Sequence, residues 1–235
     1  MADPAADSAP PRPAATVILL RRSGTAPSVL MGQRGAEAAF MPSKYVFPGG
    51  GLDAEDAEVP LASGLDALCR ARLAEGDVDA GLGQALAAAA IRELWEETGL
   101  MLGEAGAPDL PSGWEGFAAA GLCPSARGLR FFFRAITPPG RSRRFDARFF
   151  LADAAEVAGD PDDFSRASDE LSHLHWVPLA EARRLNLPFI TEVVLAELSA
   201  LIAGLAPGAP LPVPTSVPFF DNSGPVPTFR RLGAA

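Results

Sequence analysis

AAIRELWEETGL, residues 89–100, places three glutamates and an arginine among aliphatic side chains. At about 100° per residue, Glu93, Glu96 and Glu97 fall on one side of a helix, while Ala87, Ile91, Leu94 and Trp95 occupy the other. The spacing predicts a helix that buries one face and presents carboxylates on the opposite one. A solvated acidic face, with Arg92 and Glu96 paired at i, i+4 for roughly 0.3 kcal/mol, is one reading. The other is chemical. Carboxylates crowded on one face repel unless a hard cation joins them, and Mg²⁺ or Mn²⁺ prefers oxygen ligands of this kind together with phosphates. Glycines bracket the segment, Gly49 to Gly51 upstream and Gly99 directly after.

Outward from this helix the chain divides into runs of different period. From Leu61 to Leu102 the composition is rich in Ala, Leu, Glu and Arg, and Gly76, Gly81 and Gly83 break it into at least two helical pieces. Upstream, ATVILLRR (from Ala15) and SVLMGQR (from Ser28) are aliphatic runs joined by the turn SGTAP and read as paired strands. YVFPGGG is a short strand ending in a breaker cluster. Further strands are expected at Gly128 to Ile136, Phe145 to Ala152 and Glu170 to Leu179, followed by the helices LAEARRL and PFITEVVLAELSALIAGL. In the second helix Phe189, Val193, Leu198, Leu201 and Leu205 read as a packing stripe, and in GLDALCRARLAEG Leu65, Leu68, Cys69 and Leu73 do the same. There is no internal repeat.

Composition bounds the rest. A chain of 235 residues with 48% hydrophobic content supports one large core. A formal net charge of -9 and a pI near 4.8 argue against a nucleic-acid partner. Cys69 and Cys123 are too few for a disulfide framework, the N-terminus lacks a signal-peptide pattern, and no apolar run reaches the roughly 20 residues of a membrane span. The expectation is a cytoplasmic protein that binds no membrane. It comprises a flexible lead at residues 1–13, a domain at 14–205 with an excursion at about 56–82, and a Pro-rich tail at 206–235. That tail's three phenylalanines should pack it onto the domain.

Arg92, Glu93, Leu94, Glu96, Glu97, Gly99 and Leu100 match the second half of G-x5-E-x7-R-E-U-x-E-E-x-G-U, where U is aliphatic, and the chain therefore resembles the Nudix hydrolases. FPGG, Phe47 to Gly50, supplies the opening glycine. Counting back from Arg92 puts Gln84 at the first glutamate, 34 positions past Gly50 where the pattern has six, so about 28 residues are inserted. FPGGGLDAED resembles the opening of the coenzyme A diphosphatase branch, although RGAEAAFMPSKYVFPGG lacks the basic, histidine-containing stretch usual there. With Gln84 uncharged, Arg92 is expected to pair with Glu96, or with Glu75, Asp77 or Asp79.

The resemblance, from about Ala15 to Leu205, implies an α/β fold: a Nudix-type α/β/α sandwich with a mixed β-sheet. It implies hydrolysis of a nucleoside diphosphate derivative with Mg²⁺ or Mn²⁺ as cofactor. Glu96 and Glu97 would be metal ligands with the Gly50 carbonyl. Glu93 would join the metal network or orient water, and Arg92 would be an orienting partner. Glu170, with neighbouring Asp169, is the candidate general base, or else merely keeps a strand edge in solution. Arg34 and Lys44 either reach a substrate phosphate or solvate strand ends. His173 and His175 lack a third metal ligand nearby. A coenzyme A derivative leads the substrate reading. ADP-ribose, a dinucleotide, a modified nucleotide and a nucleotide-binding domain without catalysis stay open, as does the choice between monomer and homodimer.

Overall fold

In the computed structural model, which describes residues 10–24, 26–38, 40–75, 81–206 and 208–233, the aliphatic run near the N-terminus forms β1 (Arg12–Arg21). Its side chains divide by parity. Ala15, Val17 and Leu19 enter one core, while Ile18 and Leu20 enter another across the sheet, as the period of two requires. Of the expected lead at residues 1–13, residues 1–9 fall outside the described residues, as do Gly76, Asp77 and Asp79, while Arg12 and Pro13 already belong to β1.

The other strands are β2 (Ser28–Arg34), β3 (Tyr45–Val46), β4 (Gly49–Gly51), β5 (Gly103–Ala105), β6 (Leu122–Pro124), β7 (Arg130–Ile136), β8 (Phe145–Asp153), β9 (Leu171–Pro178), β10 (Val217–Asp221) and β11 (Thr228–Leu232). The α-helices are α1 (Ala67–Leu73), α2 (Leu82–Thr98), α3 (Glu115–Ala119), α4 (Leu179–Ala182) and α5 (Phe189–Ala203). The main sheet runs β11-β10-β7-β8-β1-β2-β3, with β4 added to β1 and β9 to β2, while β5 and β6 form a separate pair. β1 with β8 and β7 with β10 are parallel, and the remaining pairs are antiparallel. Leu86, Ile91 and Leu94 of α2 pack on the face bearing Val17, Phe131 and Phe150. Val194, Leu195 and Leu198 of α5 pack on the face bearing Ile18, Phe133 and Phe149. This is the α/β/α sandwich with a mixed sheet that the resemblance implied. No helix among the described residues is long and apolar enough to cross a membrane.

β7 departs from simple alternation, and two local expectations change. A register shift in β7 sends Phe131 to the α2 face and both Phe132 and Phe133 to the α5 face. Leu68 is 55% exposed because α1 turns Leu65, Cys69 and Leu73 inward instead. Phe189 is 66% exposed, since it opens α5 in the first turn, where its ring meets Phe220 rather than the core.

Residues 217–232 extend the sheet as β10 and β11, and α1 holds the segment leading to them. The buried Arg72 guanidinium donates to the carbonyls of Pro214 and of Thr215, the latter at 2.8 Å. Removing it strands two carbonyls that were bonded to a charged donor. Arg72→Ala is therefore expected to destabilise by about 2 kcal/mol, a fall in Tm of roughly 4–8 °C for a chain of this size. A melting curve superimposable on the parent would remove Arg72 from this role.

Candidate functional site

Helix α2 stops where Gly99 adopts φ 76° and donates its N–H to the Trp95 carbonyl. A Cβ at Gly99 would stand 3.0 Å from Arg166, so both the left-handed backbone and the space call for glycine. In the last turns before this cap Glu93 and Glu97 are buried, unlike Glu96, whose side chain is 43% exposed.

The two buried carboxylates meet β4. The Gly49 N–H donates to Glu97 Oε2 at 2.8 Å. At Gly50 a Cβ would lie 2.4–2.5 Å from the Glu93 carboxylate, so only glycine lets the strand come this close. Glu97 Oε1 is buried and accepts no hydrogen bond; Arg34 Nη2 is 3.9 Å away. Arg34 also approaches the Gly49 carbonyl at 3.5 Å and Glu170 Oε1 at 3.9 Å. The end of β2, the start of β9, β4 and α2 thus bring Arg34, Gly50, Glu93, Glu97 and Glu170 together.

Burial pushes the Glu97 carboxyl up to about 8; the Gly49 N–H opposes this, and the nearby charge of Glu93 reinforces it. Burial likewise pushes Glu93 up to about 7, against the pull of Arg92. Between the ordinary value of 4.5 and these raised values the folded protein holds more protons than the unfolded chain. Stability from this source is full below about pH 4.5 and is lost as pH rises through about 7 and 8. In chelator, thermal stability should therefore be higher at pH 6 than at pH 8.5, and Mg²⁺ should raise Tm more at the higher pH. A metal effect that weakens with rising pH would contradict this account.

Arg92 locks the other side of the cluster. Its Nε and Nη2 fork onto the two oxygens of Asp56 at 2.9 and 3.0 Å. Its Nη1 reaches Glu93 at 2.8 Å and Glu96 at 3.1 Å, and Nη2 donates to the Gly51 carbonyl at 3.0 Å. Burial opposes the charge of Arg92, but the bonds to Asp56 and the surrounding carboxylates outweigh it and raise the pKa. Asp56 is itself almost wholly buried and accepts the Asp53 N–H at 2.8 Å.

Asp56 corrects the reading of Gln84. Gln84 is exposed and lines a hollow with Leu61, Leu65, Arg70 and Leu73; neither it nor Glu75 is among the groups that meet Arg92 within the described residues. The available signal was the spacing. Asp56 follows Gly50 by six positions (56 − 50), the G-x5-E interval, with an aspartate in place of the glutamate. The interval measured back from Arg92 ends inside the intervening segment, at Gln84, and so misses Asp56. The Glu96 pairing expected for Arg92 is present beside the Asp56 fork.

Lys44 is placed elsewhere: its Nζ bonds Asn186 Oδ1 at 2.6 Å and the Leu187 carbonyl at 3.1 Å, tying β3 to the segment before α5. His173, at φ 52°, accepts through its carbonyl a contact from His175 Nδ1 at 2.7 Å. Among the described residues no three acidic, cysteine or histidine side chains form a ready metal cage. Mg²⁺ needs no such cage, because it binds through one or two carboxylates and keeps water or phosphate in its remaining positions. A buried carboxylate oxygen without a donor, beside a second carboxylate, is the donor set that such an ion completes.

The family model described as the NUDIX domain matches residues 10–198. The chain is 29% identical over 179 residues to "Putative nudix hydrolase 7" of Caenorhabditis elegans, a match covering 71% of this chain and 51% of that protein. It thus spans about half the length of that curated relative. Its structure is similar to the crystal structure of a NUDIX hydrolase from Alicyclobacillus acidocaldarius, with a TM-score of 0.61 and 26% identity over 86% of this chain and 100% of that one.

Proposed function

The chain belongs to the Nudix family, and on that premise we propose that it hydrolyses a diphosphate bond in a nucleoside diphosphate derivative with Mg²⁺ or Mn²⁺. The observation that carries this reading is Glu97 Oε1, a buried carboxylate oxygen with no hydrogen-bond donor beside a second buried carboxylate. A stable fold has no use for such a pair unless a cation joins it.

Glu97 and Glu93 would hold the ion, with Glu96 and the Gly50 carbonyl as further donors. Once bound, a divalent ion supplies Lewis-acid stabilisation of charge on the diphosphate oxygens. The chain's own groups do the rest. Gly49 and Gly50 keep the backbone close enough for the Gly49 N–H to orient Glu97. Arg92, clamped by Asp56, holds Glu93 and Glu96 in place and does not face the substrate. Arg34, its side chain 19% exposed, would meet a phosphate oxygen. Glu170, 60% exposed beside Arg34, would take a proton from the attacking water.

A coenzyme A derivative is the proposed substrate, on the strength of FPGGGLDAED and of the segment between Asp56 and Arg92. That segment is 28 residues longer than the pattern's spacing (36 positions against eight), which we read as an insertion in the signature. The setting proposed is cytoplasmic. Incubation with coenzyme A, an acyl-coenzyme A, ADP-ribose and a diadenosine polyphosphate across Mg²⁺ and Mn²⁺ titrations tests the reading by product analysis. Metal-dependent release of a nucleoside phosphate, greatest from the coenzyme A pair, is expected. Binding without turnover anywhere in the panel would favour a nucleotide-binding domain instead.

A further inference from the structure

The turn between β7 and β8 carries GRSRR, residues 140–144, with three arginines in four positions and no acid from Thr137 to Phe145, in a chain of net charge -9. Such density of like charge works against folding. Arg144 Nε donates to the Thr137 carbonyl at 3.2 Å, whereas Arg141 and Arg143 are exposed and make no hydrogen bond or ion pair among the described residues.

The topology sets this turn across β1 from the glycine strand. β8 lies parallel to β1 with Phe145 opposite Arg12, and the Arg12 N–H donates to the Arg144 carbonyl at 3.0 Å. The exposed Arg12 guanidinium lies 3.6 Å from where a Cβ of Gly51 would stand. Gly51 adjoins Gly50, against which the Glu93 carboxylate packs. From the loop after β2, Phe40 brings its ring to Phe145, the residue that follows Arg144, at 5.2 Å between centroids. Ala15 pairs with Gly50 and stands three residues from Arg12, about 10 Å at ~3.3 Å per residue. That is roughly the span of one nucleoside.

Resting on the hydrolase reading, we propose that Arg12, Arg141, Arg143 and Arg144 bind a phosphomonoester on the substrate's own nucleoside, remote from the diphosphate that is cleaved. The preferred substrate is then a nucleoside diphosphate derivative that carries a further phosphate on its ribose. A phosphomonoester offers a compact dianion to several guanidinium groups at once, the geometry in which arginine is strongest. A nucleic-acid strand is the weaker occupant, because the patch is short and the acidic chain around it repels an extended polyanion.

Two matched substrate pairs test this: coenzyme A against 3′-dephospho-coenzyme A, and ADP-ribose 2′-phosphate against ADP-ribose. The expected result is a kcat/KM about tenfold or more higher for the phosphorylated member of at least one pair, expressed in KM, as one charge-assisted contact allows. In the double variant Arg141→Ala/Arg143→Ala, at unchanged Tm, that ratio should fall toward one. Arg183→Ala, which removes a positive charge outside the patch, should keep it. Equal kcat/KM within both pairs, or a ratio that survives in the double variant, overturns the proposal while the hydrolase reading stands. Absence of turnover for all four compounds at saturating Mg²⁺ and Mn²⁺ overturns the proposal, and absence of turnover on a diadenosine polyphosphate as well overturns the hydrolase reading with it.

Discussion

Glu97→Gln is expected to lower turnover by about 10³-fold, the loss that corresponds to roughly 4 kcal/mol of transition-state stabilisation by a metal site. Folding should be unaffected or slightly favoured. The reason lies in the free state of the side chain. With its carboxyl pushed up to about 8 by burial, Glu97 is largely protonated at neutral pH when no cation is near, and glutamine is the uncharged isostere of that form. The amide oxygen can still accept the Gly49 N–H that now reaches Glu97 Oε2. What glutamine cannot do is release a proton and offer a negative oxygen to a hard ion. The variant should also lose most of the Mg²⁺-dependent rise in Tm at pH 8.5, which separates failed metal binding from failed chemistry. Near-parental turnover at matched Mg²⁺ would exclude Glu97 from the mechanism.

Asp56→Ala is expected to be the most destabilising single change in the site, by about 3 kcal/mol, because it leaves a largely buried guanidinium without its forked partner. Arg92 keeps Glu93 and Glu96, so the loss stays at the lower end for a broken buried pair. Freed from the fork, Arg92 should pull harder on those two carboxylates and draw them from the positions proposed for metal binding. Turnover should therefore fall along with stability, and Asp56→Glu, which restores the charge at the G-x5-E spacing, should recover most of both. Gln84→Glu is the matched control. On an exposed position without contact to Arg92 it should change neither quantity by more than experimental scatter. Thermal melts and steady-state rates on the three variants decide the matter; an Asp56→Ala protein as stable as the parent, or a Gln84→Glu protein with altered turnover, would return the role to Gln84.

Much of this molecule was legible before folding was considered. The aliphatic runs ATVILLRR and SVLMGQR report strands, which divide their side chains between two cores, and the arc of Glu93, Glu96 and Glu97 reports one helix face. Both are local properties, because side-chain direction along a regular element depends only on its repeat. The family signature is local too, seven matched positions within nine residues. Burial was harder to read. Leu68 and Phe189 carry packing side chains at packing intervals, yet α1 and the first turn of α5 turn them outward, because which face of a short helix meets the core depends on where its ends are anchored.

The sequence by itself determined the strands β1, β2, β3, β7, β8 and β9, the helices α1, α2, α4 and α5 and the acidic arc, since each follows from the conformational preferences and repeat of a few consecutive residues, whereas β5, β6, β10, β11 and α3 emerged only in the fold. Only the tertiary structure decided that Asp56 holds Arg92, that Lys44 is engaged by Asn186, that Arg34 and Glu170 stand beside Glu97, and that the arginines of residues 141–144 adjoin Arg12. These pairings join residues between about 36 and 142 positions apart. Their proximity arises from sheet order, from the parallel register of β1 with β8 and from the close approach of β4 to α2. Sheet order and register are global outcomes of burying both faces at once, and no local repeat in the chain encodes them.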